Sequence, residues 1–207
     1  MSGKFISIEG VEGAGKSTQL HFIQQFLTEK GIELTVTREP GGTELGEKIR
    51  SLLLTPSESP MAVDTELLLM FAARAEHVEK VIKPALNRGD WVLSDRFTDA
   101  TFAYQGGGRG IEQQRINDIA TWTLNGLKPD LTLLFDLPVE LGQQRVLSRN
   151  QGVDRFEQEK IIFFEKIRQC YLQRAADEPQ RIKVIDSSQS IAEISQQLTT
   201  ILNQFNS

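Results

Sequence analysis

The sequence predicts an α/β fold, a five-stranded parallel sheet covered by helices, and three observations carry that prediction. Short runs rich in Val, Ile, Leu or Phe alternate with longer segments of helical period along the chain. The first of these runs leads straight into a glycine-rich turn and then into a helical pattern. The 207 residues are 39% hydrophobic and 25% charged, ordinary globular usage with enough chain for a large core. No internal repeat, low-complexity tract or Pro/Ser linker divides residues 1–207, so a single domain is expected.

The expected strands are Phe5 to Glu9, Glu33 to Thr37, Trp91 to Asp95, Leu131 to Asp136 and Ile182 to Ile185. Leu20, Ile23 and Leu27 repeat on one face of the first helix, and a long helical segment from Asp64 to Asn87 stops before Gly89. The last helix opens on Ser190 and Glu193 at capping-box spacing. It carries Ile191, Ile194, Leu198 and Ile201 on one stripe, which should cover a sheet face. Irregular segments are expected at residues 39–43, 55–60, 106–110 and 150–154, most of them at carboxyl ends of strands, where function gathers in such sheets.

Composition removes several classes. Cys170 is the only cysteine, which excludes an internal disulfide and a Cys-rich zinc site. His21 and His77 lack a second His at metal-ligand spacing. Lys and Arg number 23 against 28 Asp and Glu, a net charge of −5 and the wrong sign for holding nucleic acid by counterion release. No apolar run approaches the ~20 residues that span a bilayer, and the first residues show no secretory leader. A cytoplasmic protein is expected, with neither nucleic-acid nor membrane partner.

After the first strand come Gly10, Val11, Glu12, Gly13, Ala14, Gly15, Lys16, Ser17 and Thr18, which fit G-x-x-x-x-G-K-[ST] between a strand and a helix. Glycines let successive N–H groups point at phosphate oxygens, and the helix N-terminus adds its positive dipole end. Lys16 is then expected at the β/γ oxygens of a nucleoside triphosphate and Ser17 on Mg²⁺. No segment reads Asn-Lys-x-Asp or Asp-x-x-Gly, which argues against a GTPase, and the length leaves little room for motor modules. A small phosphotransferase fits best. The third strand ends Ser94-Asp95-Arg96: Asp95 can organise Mg²⁺ and its waters, and Arg96 can fork onto an acceptor phosphate.

With these residues in view, the chain resembles the thymidylate kinase family, in particular its bacterial form. The phosphate loop with Glu12, the runs Thr37-Arg38-Glu39-Pro40-Gly41-Gly42-Thr43 and Phe71-Ala72-Ala73-Arg74, Asp95-Arg96, the run from Ala103 to Gly110, and Asp154-Arg155-Phe156-Glu157 follow the family's order and approximate spacing. The resemblance implies a P-loop nucleoside-monophosphate kinase fold with a short helical lid, a homodimer, and transfer of the ATP γ-phosphoryl group to dTMP with Mg²⁺. Residue by residue it implies that Arg74 bonds the thymine O4 edge, Phe71 stacks on or near the ring, and Thr101 and Gln105 meet the base's remaining polar edge. Tyr104 would lie against the deoxyribose, Arg38 and Arg96 would serve the acceptor phosphate, and Glu12 and Glu157 would stand near phosphate or sugar. In several relatives the stacking Phe lies four residues before this Arg, where Met70 stands here.

Arg145, Arg149 and Arg155 bracket a polar, Gly-containing interruption, which suits a mobile lid over residues 145–157. One branch of the family has a basic residue in the loop after the acid, where this chain has Gly13, so Arg149 and Arg155 are assigned to the transferring phosphoryl group. A kinase for another nucleoside monophosphate or a deoxynucleoside, and an ATP-sensing module without turnover, are the alternatives.

Overall fold

A computed structural model describes residues 3–148 and 154–206. The strands are β1 (Phe5–Glu9), β2 (Leu34–Arg38), β3 (Trp91–Asp95), β4 (Leu131–Asp136) and β5 (Ile182–Asp186). They form one sheet in the order β2-β3-β1-β4-β5, every pair parallel. The helices are α1 (Lys16–Glu29), α2 (Glu44–Leu54), α3 (Val63–His77), α4 (Lys83–Arg88), α5 (Thr98–Thr101), α6 (Gln113–Leu124), α7 (Val139–Leu147), α8 (Ile161–Asp177) and α9 (Ile191–Asn206). Among the described residues, no helix is long and apolar enough to cross a membrane.

Strand register decides where the chemistry gathers. Ile8 of β1 and Arg38 of β2 both pair with Asp95 of β3, so the carboxyl ends of three neighbouring strands share one rim. The chain leaves β1 toward one side of the sheet and reaches β4 on the other. The rim above β1 is therefore the switch point where parallel sheets bind ligands.

Side-chain alternation splits β1 between two cores. Ile6 and Ile8 pack with Ile23 and Leu27 of α1 and with Leu198 and Leu202 of α9, while Phe5 enters a second cluster with Phe71, Ile82, Val92 and Phe97. In α9 the Ser190–Glu193 box forms, with Glu193 Oε2 accepting from the Ser190 N–H at 3.0 Å. The buried stripe is Ile194, Leu198 and Leu202; Ile191, expected on it, is 65% exposed, because it sits in the opening turn before the helix settles onto the sheet. Leu198 is fully buried, so Leu198→Ala should lower unfolding free energy by about 2–5 kcal/mol in a urea titration.

Two segments depart from expectation. The helix expected from Asp64 to Asn87 is continuous but widens into a π-turn at Val78–Ile82, just before Pro84, which supplies no N–H and crowds the carbonyl four residues back. The glycine run expected as a loop at 106–110 is largely helical, part of a π-helix over Phe102–Gly108. A Cβ on Gly107 would lie 2.8 Å from the Cys170 Cβ, and one on Gly108 would lie 2.5 Å from the Phe163 ring. These glycines let two helices approach closely.

Candidate active site

The phosphate loop is anchored from below and open above. Val11 and Ala14 bury in the core, while Ser17 and Thr18 stand exposed on the first turn of α1. Lys16 Nζ donates to the Gly10 carbonyl at 2.8 Å and the Val11 carbonyl at 2.9 Å. Burial, then the Arg96 charge, lowers its pKa to about 8. Gly13 has φ +77°, and a Cβ there would sit 2.2 Å from the Gly142 carbonyl oxygen, so α7 packs directly on the loop where the other branch carries a basic residue. Arg145 braces this contact, its Nη1 reaching the carbonyls of Gly13 at 3.3 Å and Ser187 at 3.2 Å.

Beside the loop lies a cavity of about 190 Å³, lined by Glu12, Lys16, Asp95, Arg96, Tyr104, Met70, Arg74, Thr101 and Gln105 among others. At its phosphate-loop end, Arg96 Nη2 bonds Glu12 Oε1 at 2.8 Å and the Tyr104 hydroxyl oxygen at 3.0 Å, and Nη1 reaches the Tyr171 hydroxyl at 3.3 Å. The Tyr104 O–H in turn donates to Glu12 at 2.7 Å. Burial, with the Glu12 carboxylate adding to it and Arg96 opposing, pushes this phenol well above its ordinary pKa, so it keeps its proton. Arg96 sits at φ 71°, a left-handed conformation that strains a residue with a long side chain by on the order of 1–3 kcal/mol.

At the far end, Arg74 Nε donates to Glu39 Oε2 at 2.6 Å and Nη2 to the Phe97 carbonyl at 3.1 Å. Its Nη1 is buried with no partner, a donor left for whatever enters the cavity. Glu39 is itself fixed by His77 Nδ1 at 2.9 Å, and His77 Nε2 meets the Thr37 hydroxyl at 2.6 Å. Gln105 Nε2 donates to Glu66 at 2.8 Å.

Several sequence assignments change in three dimensions. Met70, not Phe71, lines the cavity; Phe71 is in the second core with its ring 4.9 Å from the Arg74 guanidinium, because one residue along a helix turns the side chain to another face. Arg38 pairs with Glu47 at 2.9 Å on the open surface beside Ser17 and Asp95, outside the cavity. Arg50, which the sequence reading missed, lines the cavity and donates to the Pro40 carbonyl at 2.9 Å. Its position in an amphipathic helix resembles that of any solvated charge.

Arg155 does not face the loop: its Nε donates to the Leu53 carbonyl at 2.7 Å and Nη1 pairs with Glu66 at 2.7 Å. Glu66 is fully buried and draws in Arg155 and Arg109 as the cations its charge requires. Arg149 lies outside the described residues. Glu157 caps the turn at Asp154, accepting that residue's N–H at 3.1 Å, and lines a smaller cavity beside Glu12.

Among the described residues, no three His, Cys, Asp or Glu side chains group to hold a metal by themselves. A magnesium ion bound through phosphates needs less. Asp95 Oδ1 is buried with no partner, and Ser17 lines the same opening, so this hard-oxygen pair fits Mg²⁺.

A phosphate loop on the central strand facing an arginine-lined acceptor cavity on the same rim defines a P-loop kinase of the nucleoside-monophosphate class. The family model for thymidylate kinase matches residues 8–198. A thymidylate kinase from Nitrosomonas europaea is 55% identical over 203 residues, spanning 98% of this chain and 94% of that relative. One from Vesicomyosocius okutanii is 57% identical over 200 residues, 97% of each chain. The crystal structure of thymidylate kinase from Ehrlichia chaffeensis matches with a TM-score of 0.79 at 32% identity, over 98% of this chain and 99% of that one. The chain belongs to the thymidylate kinase family.

Proposed function

We propose that this enzyme moves the γ-phosphoryl group of ATP onto dTMP, giving dTDP and ADP, with ATP on the Gly10–Thr18 loop and dTMP in the adjoining cavity. One observation carries the reading: Arg96 at one end and the unpartnered Nη1 of Arg74 at the other frame a slot for a nucleotide, phosphate toward Lys16 and base away from it.

The acceptor needs no general base. A phosphate monoester has its second pKa near ~6, so dTMP arrives as a dianion whose oxygen is already nucleophilic. The enzyme's work is positioning and charge compensation. Arg96, carried by a fixed backbone and steered by Glu12 and Tyr104, meets the acceptor phosphate. Lys16 exchanges its carbonyl partners for the β/γ oxygens. Ser17 and Asp95 are the residues that would hold Mg²⁺, which with bound ATP supplies charge neutralisation at the phosphates. Arg149 and Arg155 remain the proposed lid cations; for Arg155 this requires release from Glu66 as the lid closes. The homodimer draws support from Leu52, Leu68 and Trp122, large apolar side chains exposed on α2, α3 and α6, with α3 packed against both of the others.

Base selection follows from Arg74. Its free N–H suits a carbonyl such as thymine O4, whereas cytosine offers an amino donor at that edge and would leave both donors unpaired. The 5-methyl group contributes only about 1–3 kcal/mol, so dUMP should be a poor but measurable substrate. Coupled ADP release measured against dTMP, dUMP, dCMP and UMP tests this. We expect dTMP first, dUMP about 10- to 100-fold lower in kcat/KM, and dCMP and UMP lower still. Equal turnover of UMP and dTMP would remove Tyr104 from the sugar site, and silence with every acceptor would favour the sensing module.

A further inference from the structure

Glu9 is the last residue of the central strand and is fully buried, yet among the described residues no cation pairs with it. A carboxylate in such a place is less favourable for stability than an apolar side chain of similar size. Its two oxygens are both in use. Oε1 accepts the backbone N–H of Phe97 at 2.7 Å, and Oε2 accepts the Tyr171 hydroxyl at 2.8 Å. Phe97 follows Arg96 directly, and Tyr171 is the residue whose hydroxyl meets Arg96 Nη1 at 3.3 Å. Glu9 thus grips Arg96 twice, through the peptide on its carboxyl side and through the phenol beside its guanidinium.

The rest of the Arg96 backbone is held as well. Its N–H donates to the Ile8 carbonyl at 2.9 Å, and the buried Ser94 hydroxyl donates to the Arg96 carbonyl at 2.7 Å. Three hydrogen bonds, from β1 and β3, surround one residue at φ 71°. A strained conformation persists only where its surroundings over-determine it, and here those surroundings include two buried polar side chains, Glu9 and Ser94, that do not themselves line the cavity. Left free, the backbone would relax toward φ < 0 and swing the guanidinium away from Glu12 and Tyr104.

We propose that Glu9 and Ser94 are positioning residues for phosphoryl transfer to dTMP, locking Arg96 in the left-handed conformation that presents its guanidinium to the acceptor phosphate. The inference rests on the reading of Arg96 as the acceptor-phosphate arginine. Neither residue touches substrate; both act through Arg96.

The test is steady-state kinetics on Glu9→Ala, Glu9→Gln, Ser94→Ala and Arg96→Ala, with folding checked by circular dichroism. Loss of buried bonds in the clamp, two in Glu9→Ala and one in Ser94→Ala, should raise KM for dTMP about 5- to 100-fold, with KM for ATP within about twofold. Glu9→Gln keeps an acceptor for the Phe97 N–H and a polar partner for Tyr171, so it should stay within about threefold of the parent. A merely structural role would move both KM values together and would not be rescued by Gln. If Glu9→Ala fails to fold, Ser94→Ala decides, since it removes one oxygen and little volume. Unchanged KM for dTMP in folded Ser94→Ala, or parallel loss for both substrates, overturns the proposal while Arg96→Ala still impairs dTMP use. If Arg96→Ala itself leaves dTMP kinetics intact, the reading of Arg96 fails and takes the positioning role with it.

Discussion

Arg96→Ala should lower kcat/KM for dTMP by about 10³-fold or more, with KM for ATP nearly unchanged. The guanidinium is the cation at the acceptor end of the cavity that also pairs with Glu12 and Tyr104, at 2.8 and 3.0 Å. Its removal takes away the charge that meets the incoming phosphate and leaves the Glu12 carboxylate, itself anionic, facing that phosphate. Both changes act against a dianion. Arg96→Lys should recover only part of the loss, because an ammonium offers a point charge where the site presents a planar fork braced by two phenols. Near-normal turnover in Arg96→Ala would mean that Arg50 or Arg38 carries the acceptor phosphate instead.

Lys16→Met should lower kcat by at least about 10³-fold. Methionine keeps most of the unbranched side chain and removes the charge, so the variant tests chiefly electrostatics. A second readout needs no turnover. In the free protein, burial holds the Lys16 pKa near about 8, and triphosphate oxygens in place of the Gly10 and Val11 carbonyls should raise it. Binding of ATP should then take up about half a proton at pH 8, more toward pH 9, and almost none below pH 7. Calorimetry in buffers of different ionisation enthalpy reads this uptake, and it should vanish in Lys16→Met. Proton release at pH 8, or uptake that survives the substitution, contradicts the assignment.

The fold was largely legible because it is written in local patterns. The apolar runs marked all five strands to within a residue at each end, and the Ser190–Glu193 box marked the start of α9. The phosphate loop was legible for the same reason, since glycines, Lys16 and Ser17 sit together in sequence. What escaped depended on facing and on distant partners. Met70 and Phe71 are neighbours on one helix, and only the position of β3 and Phe97 decides which of them meets the cavity. Arg155 looked like a free lid cation because nothing nearby in the chain shows that Glu66, far upstream, is buried and takes it as a partner. Gly107 and Gly108 read as an irregular loop because their reason is α8, more than fifty residues on. The fork of Glu39 between Arg74 and His77 was hidden for the same cause.

The account turns on a nucleotide lying in the cavity between Arg96 and Arg74. A crystal structure of the protein with dTMP measures this directly. The account predicts a thymine carbonyl within hydrogen-bond distance of Arg74 Nη1, Met70 against the ring, and the 5′-phosphate on the Arg96 guanidinium. A nucleotide bound in the reverse orientation, or seated in another cavity with Arg74 Nη1 still unpartnered, contradicts it.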